Sequence, residues 1–268
     1  MSIKTFNEKI QGNRTSNDDI IKYLFNSKII DRVFFEVCSD CQYNCVDCGH
    51  ISFKSAYKNY HMTIPELNRF LYYTKKSNYY IREAFLHGPG EPTLWRNLNE
   101  GIKILYESPV VGGVCMLSNG VSLDRIKEET FQYIERIRIS VYPDAKENDL
   151  IEYLCDRYPE KINLEIIKQF WSHPHKEYPD SIPCLCACPV PLFIDNKVFY
   201  CSGTIFDAAK LKGVDVFDCH EVYTELKENY LDNLSRGNFD LCKFCTSNRN
   251  IRKQLKSYDH KFLKEIDG

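Results

Sequence analysis

Residues 32–48 read RVFFEVCSDCQYNCVDC, a β-branched and aromatic run, Arg32 to Val37, that ends in four cysteines, Cys38, Cys41, Cys45 and Cys48. A short apolar run closed by a polar loop predicts a buried strand. Further strands are expected at Glu83–His87, Gly113–Leu117, Ile137–Val141 and Asn163–Ile167. Between them, Thr63-Ile-Pro-Glu66 is a capping box ahead of apolar Leu67, Phe70 and Leu71, and Ser122 can cap a helix running through Tyr133. Asn97–Tyr106 and Lys146–Tyr158 complete the helices, and Asp18–Phe25 predicts one more in a short extension over 1–31. Strands alternating with helices at this spacing imply right-handed βαβ units, an α/β fold with a parallel sheet or barrel.

From Ser172 to Pro191 the character changes, because His173-Pro174, Tyr178-Pro179, Ile182-Pro183 and Cys188-Pro189 disfavour helix. Pro191–Cys201 then reads as a hairpin turning at Asp195-Asn196-Lys197, followed by a helix over His220–Leu234 and the Cys242/Cys245 pair. The chain divides into 1–31, 32–175 and a cysteine-rich 176–268. A small region with few core residues and many cysteines needs a metal to hold it together.

With 35 basic and 37 acidic side chains in 268 residues, the net charge of -2 offers no broad attraction for phosphate backbones or anionic membranes, so neither nucleic acid nor membrane is an expected partner. The start, MSIKTFNEKIQGNRTS, lacks an apolar segment, which predicts a cytoplasmic protein. Thirteen cysteines are many for such a chain, and in a reducing compartment they read as metal ligands rather than disulfides. Cys115, Cys155 and Cys219 stand apart and read as small buried hydrophobes.

Three thiolates at Cys41, Cys45 and Cys48, spaced by three and then two residues, can bind three irons of a cubane, leaving the fourth iron open. Zinc is the alternative, through the two CxxC units Cys38/Cys41 and Cys45/Cys48, although Cys38 directly follows the strand and reads as a packing residue. A Gly88-Pro-Gly90-Glu91-Pro-Thr-Leu94 turn ends the second strand, Ser118-Asn119-Gly120 the third and Ser140 the fourth. Each alone reads as an ordinary turn or a lone serine. All lie at C-terminal strand ends, where parallel sheets bind ligands.

Over residues 32–170 this order of motifs resembles the radical S-adenosylmethionine superfamily. The resemblance implies a partial (β/α)6 TIM-type barrel whose Cys41, Cys45 and Cys48 hold a 4Fe-4S cluster. It further implies that S-adenosylmethionine binds the open iron, contacts Gly88, Gly90, Glu91, Ser118, Asn119 and Ser140, and yields a 5'-deoxyadenosyl radical on one-electron reduction. An electron donor such as flavodoxin or ferredoxin is then a partner. Asp47 departs from the superfamily, which usually carries an aromatic residue there.

The later cysteines resemble a twitch-type auxiliary-cluster subdomain, in which Cys184, Cys201, Cys242 and Cys245 would bind a second 4Fe-4S cluster. Cys186 is the alternative to Cys184, Cys188 ranks third because Pro189 follows it, and Asn196 replaces the usual hairpin glycine. A four-cysteine zinc ribbon would use the same residues. The chain is similar to the small twitch-bearing class that includes 2-deoxy-scyllo-inosamine dehydrogenase. That similarity implies oxidation of a small polar substrate, a sugar or cyclitol alcohol, with the auxiliary cluster taking an electron. A peptide-modifying maturase and a zinc-stabilised binding module are the competing readings. For the general base, Lys168, His173, His175 and Tyr142 are in suitable places, and none stands out.

Overall fold

The computed structural model describes residues 27–43, 45, 48, 50–142, 149–167, 191–199, 204–232 and 241. Strands β1 (Lys28–Glu36), β2 (Tyr79–His87), β3 (Val111–Ser118), β4 (Arg136–Val141) and β5 (Ile162–Ile166) lie side by side in chain order, all parallel. The short strands β6 (Leu192–Ile194), β7 (Lys197–Phe199) and β8 (Tyr223–Glu225) extend the same sheet beyond β1. There β6 runs parallel to β1, and β7 and β8 are antiparallel to their neighbours. A partial (β/α)6 barrel would set its sixth strand beside β5. Among the described residues β5 is an edge strand, and the next strand joins on the far side of β1.

Alternation along β1 sends Val33 and Phe35 into the main core, where Phe35 meets Phe70 edge to face at 5.0 Å. Phe70 belongs to helix α2 (Ile64–Lys76), following α1 (Ile51–Ala56). The capping box forms as the sequence predicts: Thr63 Oγ1 accepts from Glu66 N and Glu66 Oε2 accepts from Thr63 N, each at 3.3 Å. Glu66 has a second task. Its Oε1 accepts from Tyr60 Oη at 2.5 Å and from Asn196 N at 3.2 Å, so a helix cap also anchors the tip of the β6–β7 hairpin. At that tip Asp195 (φ 48°) and Asn196 (φ 55°) both take the left-handed conformation of a two-residue hairpin turn, which Asn tolerates without glycine. The hairpin's alternation serves two cores. Phe193 and Val198 join the main one, whereas Leu192, Ile194 and Phe199 join a second with Phe53 of α1 and Phe206 of α5 (Thr204–Lys212), whose rings stack at 4.2 Å.

Helices α3 (Leu98–Glu107) and α4 (Asp149–Arg157) match expectation, whereas two others do not. Ser122 caps no α-helix; Leu123–Arg125 and Glu128–Tyr133 form 3-10 turns. The competing bonds are tertiary: Ser122 Oγ accepts from Gln42, and Asn99 Oδ1 accepts from Lys127 N and Thr130 Oγ1. Nor is there a helix over 220–232, where Val222, Leu226 and Tyr230 are buried at a four-residue spacing that imitates one. The open edge of β7 instead recruits Tyr223–Glu225 as β8, pairing Phe199 with Tyr223. Residues 1–26, including the expected helix at Asp18–Phe25, and residues 233–240 lie outside those described. No helix among the described residues is long and apolar enough to cross a membrane.

Gly101 in α3 lies against the buried Trp95 ring, and a Cβ built there would come within 1.9 Å of it. Gly to Ala in a helix interior ordinarily stabilises by about 0.5–1 kcal/mol. Here overpacking reverses the sign: Gly101→Ala should destabilise by about 1–3 kcal/mol, measured as a lower urea midpoint.

Candidate functional site

The first three parallel strands run at their C-terminal ends into the sequence motifs, the fourth motif residue, Ser140, lies near the C-terminal end of β4, and together they line a cleft of about 130 Å³. Cys41, Cys45 and Cys48 line one wall, Gly88, Gly90 and Glu91 the next, and Ser118, Asn119 and Ser140 the third. The predicted cluster and cofactor residues of 32–170 therefore line one cavity. Cys184, Cys186, Cys188, Cys201, Cys242 and Cys245, with Lys168, His173 and His175, lie outside the described residues.

The walls are joined backbone to backbone. Gly90 N donates to Cys38 O at 3.1 Å and Glu91 N to Asp40 O at 2.6 Å. A Cβ on Gly90 would stand 2.1 Å from Asp40 O and one on Gly88 2.8 Å from Cys38 O, so both glycines are required for this contact between loops. Cys38 completes the seam as the donor of an S–H bond to Glu91 O at 3.1 Å. Burial, then the charges of Glu91 and Asp40, push its thiol far above the ordinary range, in keeping with a packing residue.

Glu91 is 3% exposed, and both its oxygens are taken by the chain. Oε1 accepts from Thr93 N (3.1 Å), Thr93 Oγ1 (2.8 Å) and Ser118 Oγ (2.8 Å), while Oε2 accepts from Asn119 N (2.7 Å). Burial raises its pKa and the backbone N–H of Asn119 leads the bonds that oppose the rise. Ser118 also accepts from Gly120 N at 3.0 Å. The Asn119 amide reaches back across the cleft, donating to Gln42 Oε1 at 3.1 Å and to Cys41 Sγ at 3.8 Å.

The three loop thiols are pushed up by burial, Cys45 to about 12 with Cys48 and Cys41 adding their charges. Backbone N–H groups of Tyr43 and His50 counter this at Cys41 and Cys48, and Lys54 of α1 acts in the same direction. Such a set becomes jointly ionised only around a cation that the thiolates bind. Among the described residues no three donors stand close enough together for a single metal ion. By its chemistry, a set of three soft, buried thiols on one cleft suits an iron-sulfur cluster. The two-CxxC zinc site also loses Cys38 to its bond with Glu91.

Tyr142, a predicted base candidate, lines the cleft with its ring edge on Tyr43 at 5.7 Å, and burial raises its pKa. The sequence reading missed His50, Lys54 and His87, which also line the cleft. Their signals were local: His50 follows Cys48 by two residues, Lys54 follows His50 by one helical turn, and His87 directly precedes Gly88.

No protein-family model matches the sequence, and no curated protein matches it. Among solved structures, BtrN in complex with AdoMet and 2-DOIA aligns with a TM-score of 0.52 and 17% identity over 86% of this chain and 88% of that one. A second BtrN structure, of selenomethionine protein in an open conformation, aligns at 0.49 and 16% identity over 81% and 92%. The first of these likenesses shows that this chain has a BtrN-like mixed α/β fold.

A carboxylate with four donors leaves no place for an amide N–H. Glu91→Gln should therefore lower folding stability by about 1–3 kcal/mol through one donor facing another, seen as a lower urea midpoint in the metal-free protein. Unchanged stability would assign the charge of Glu91 to ligand binding rather than to the joining of the loops.

Proposed function

We propose that the protein is a radical S-adenosylmethionine enzyme that oxidises a small polar alcohol, a sugar or cyclitol. The observation that carries this reading is the convergence of Cys41, Cys45 and Cys48 with the 88–91 turn, Ser118, Asn119 and Ser140 on one cleft. BtrN, whose fold the chain shares, was solved with AdoMet and 2-DOIA. Cys41, Cys45 and Cys48 would hold a 4Fe-4S cluster that, when bound, supplies one electron to S-adenosylmethionine. Asn119, by donating to Cys41 Sγ, stabilises charge on that sulfur. Gly88 and Gly90, having no side chains, let a ligand approach the backbone along the cleft, and Ser140 adds a hydroxyl to its lining.

In this reading β1–β5 form a partial TIM-type barrel over 32–175, and the β6–β7 hairpin opens a twitch subdomain over 176–268. Cys201 follows β7 by two residues. Cys184, or Cys186 in its place, would join Cys201, Cys242 and Cys245 around a second 4Fe-4S cluster that accepts the substrate electron. Flavodoxin or ferredoxin would reduce the first cluster, in the cytoplasm.

Anaerobic reconstitution should yield about eight irons per chain. The triple variant Cys41→Ala/Cys45→Ala/Cys48→Ala should keep about four and make no 5'-deoxyadenosine with dithionite. Continued cleavage in that variant would remove the radical reading. Cys242→Ala/Cys245→Ala, checked for fold by circular dichroism, should still cleave S-adenosylmethionine yet release no oxidised product. Normal product release would take the second cluster out of the reaction.

A further inference from the structure

Glu36 and His87 face each other across β1 and β2, in register at the last position of each strand. Beneath them on the same face of the sheet, Phe34 and Phe85 meet edge to face at 5.6 Å. The Glu36 side chain is fully buried, with Oε1 2.8 Å from His87 Nδ1 and Oε2 without a partner among the described residues. As a strut between two strands this is a poor arrangement. Burying a carboxylate with one oxygen unpaired is costly, and an apolar pair above Phe34 and Phe85 would serve the sheet better.

The imidazole is oriented as a pocket group is. Phe34 stacks on one face at 4.8 Å, the His50 ring abuts it at 5.1 Å, and Glu36 holds Nδ1. A carboxylate at Nδ1 keeps the proton there, which leaves the lone pair on Nε2. Among the described residues Nε2 meets no protein donor or acceptor. It is not sealed from solvent, since the side chain is 13% exposed and lines the cleft. His50, Lys54, Glu91 and Tyr142 share that cleft, but Glu91 is saturated by four donors, whereas His87 presents an open acceptor backed by a buried anion.

We propose that His87, held by Glu36, is the general base that binds and deprotonates the substrate hydroxyl. This inference rests on the alcohol-oxidation reading above. In the step, the carbinol C–H bond breaks and its hydrogen atom goes to the 5'-deoxyadenosyl radical. The O–H proton goes to His87 Nε2, and the remaining electron leaves for an iron-sulfur acceptor as the C=O bond forms. The imidazolium is stabilised where it arises, because Glu36 lies within hydrogen-bond distance and has no other partner among the described residues.

Diethyl pyrocarbonate tests the pair without any substrate. On anaerobically reconstituted protein, mass-spectrometric mapping should find His87 carbethoxylated. Glu36→Leu, apolar and of similar volume, should slow that modification at least fivefold, because the tautomer is no longer fixed. An unmodified His87, or an unchanged rate in Glu36→Leu, overturns the proposal. A panel of cyclitols and aminocyclitols deuterated at the carbinol carbon, 2-DOIA among them, tests the chemistry. In His87→Gln, ketone formed per deuterium transferred to 5'-deoxyadenosine should fall about 100-fold, the scale of a lost general base; an unchanged ratio overturns the assignment. A panel in which the wild type oxidises nothing overturns the cyclitol reading instead, and the carbethoxylation result stands apart from it.

Discussion

Four hydrogen bonds converge on the buried carboxylate of Glu91, and the cleft depends on them. Donors come from its own turn, Thr93, and from the end of β3, Ser118 and Asn119, while its backbone N–H and C=O bond to Asp40 and Cys38 in the loop after β1. One residue therefore fixes three strand-end loops relative to one another. A buried anion is costly unless fully hydrogen-bonded, and here the bonding partners are the loops that must be placed. The cost of burial is offset by bonds that form only when the three loops are in register.

That arrangement sets the electrostatics of the cavity. Glu91 is an anion inside the wall rather than a free acid at its surface, and its charge raises the Cys38 and Cys41 thiols instead of helping them ionise. Opposing it are Lys54, the backbone N–H groups at Cys41 and Cys48, and the Asn119 amide on Cys41 Sγ. The balance distinguishes the cysteines. Cys38 donates its proton to a carbonyl and belongs to the framework, whereas Cys41, Cys45 and Cys48 line the cavity, where Lys54 offsets only part of the rise that burial causes. Further from the cleft on the same face of the sheet, Arg32 and Arg136 both pair with the partly exposed Glu83.

Glu66 plays a comparable part on the other side of β1. By capping α2 and accepting from Tyr60 and Asn196, it docks the β6–β7 hairpin, and the hairpin's alternating side chains then complete both hydrophobic cores. The hairpin tip that Glu66 holds thus lies 130 positions further along the chain than Glu66 itself. Phe53 of α1 stacks on Phe206 of α5, which ties the helix carrying Lys54 to that later segment.

Local chemistry was legible in the sequence. The five parallel strands, the capping box at Thr63, the turn at Asp195-Asn196 and the three strand-end motifs follow from short-range patterns: alternation, cap residues and turn residues. The cysteine spacing picked out three thiols that share one cleft, because residues in one loop are close in sequence as well as in space. Tertiary structure decided whatever depended on a distant partner. Residues 220–232 have helical spacing, yet a free strand edge at β7 draws three of them into the sheet, since unpaired backbone groups there are satisfied only by another strand. Ser122 could cap a helix but is taken by Gln42, 80 residues away. Glu91 looked like a free acid, and only folding shows it saturated. His87 carried no motif, because a histidine acquires its role from the carboxylate beside it, and Glu36 comes beside it only when β1 and β2 pair in register.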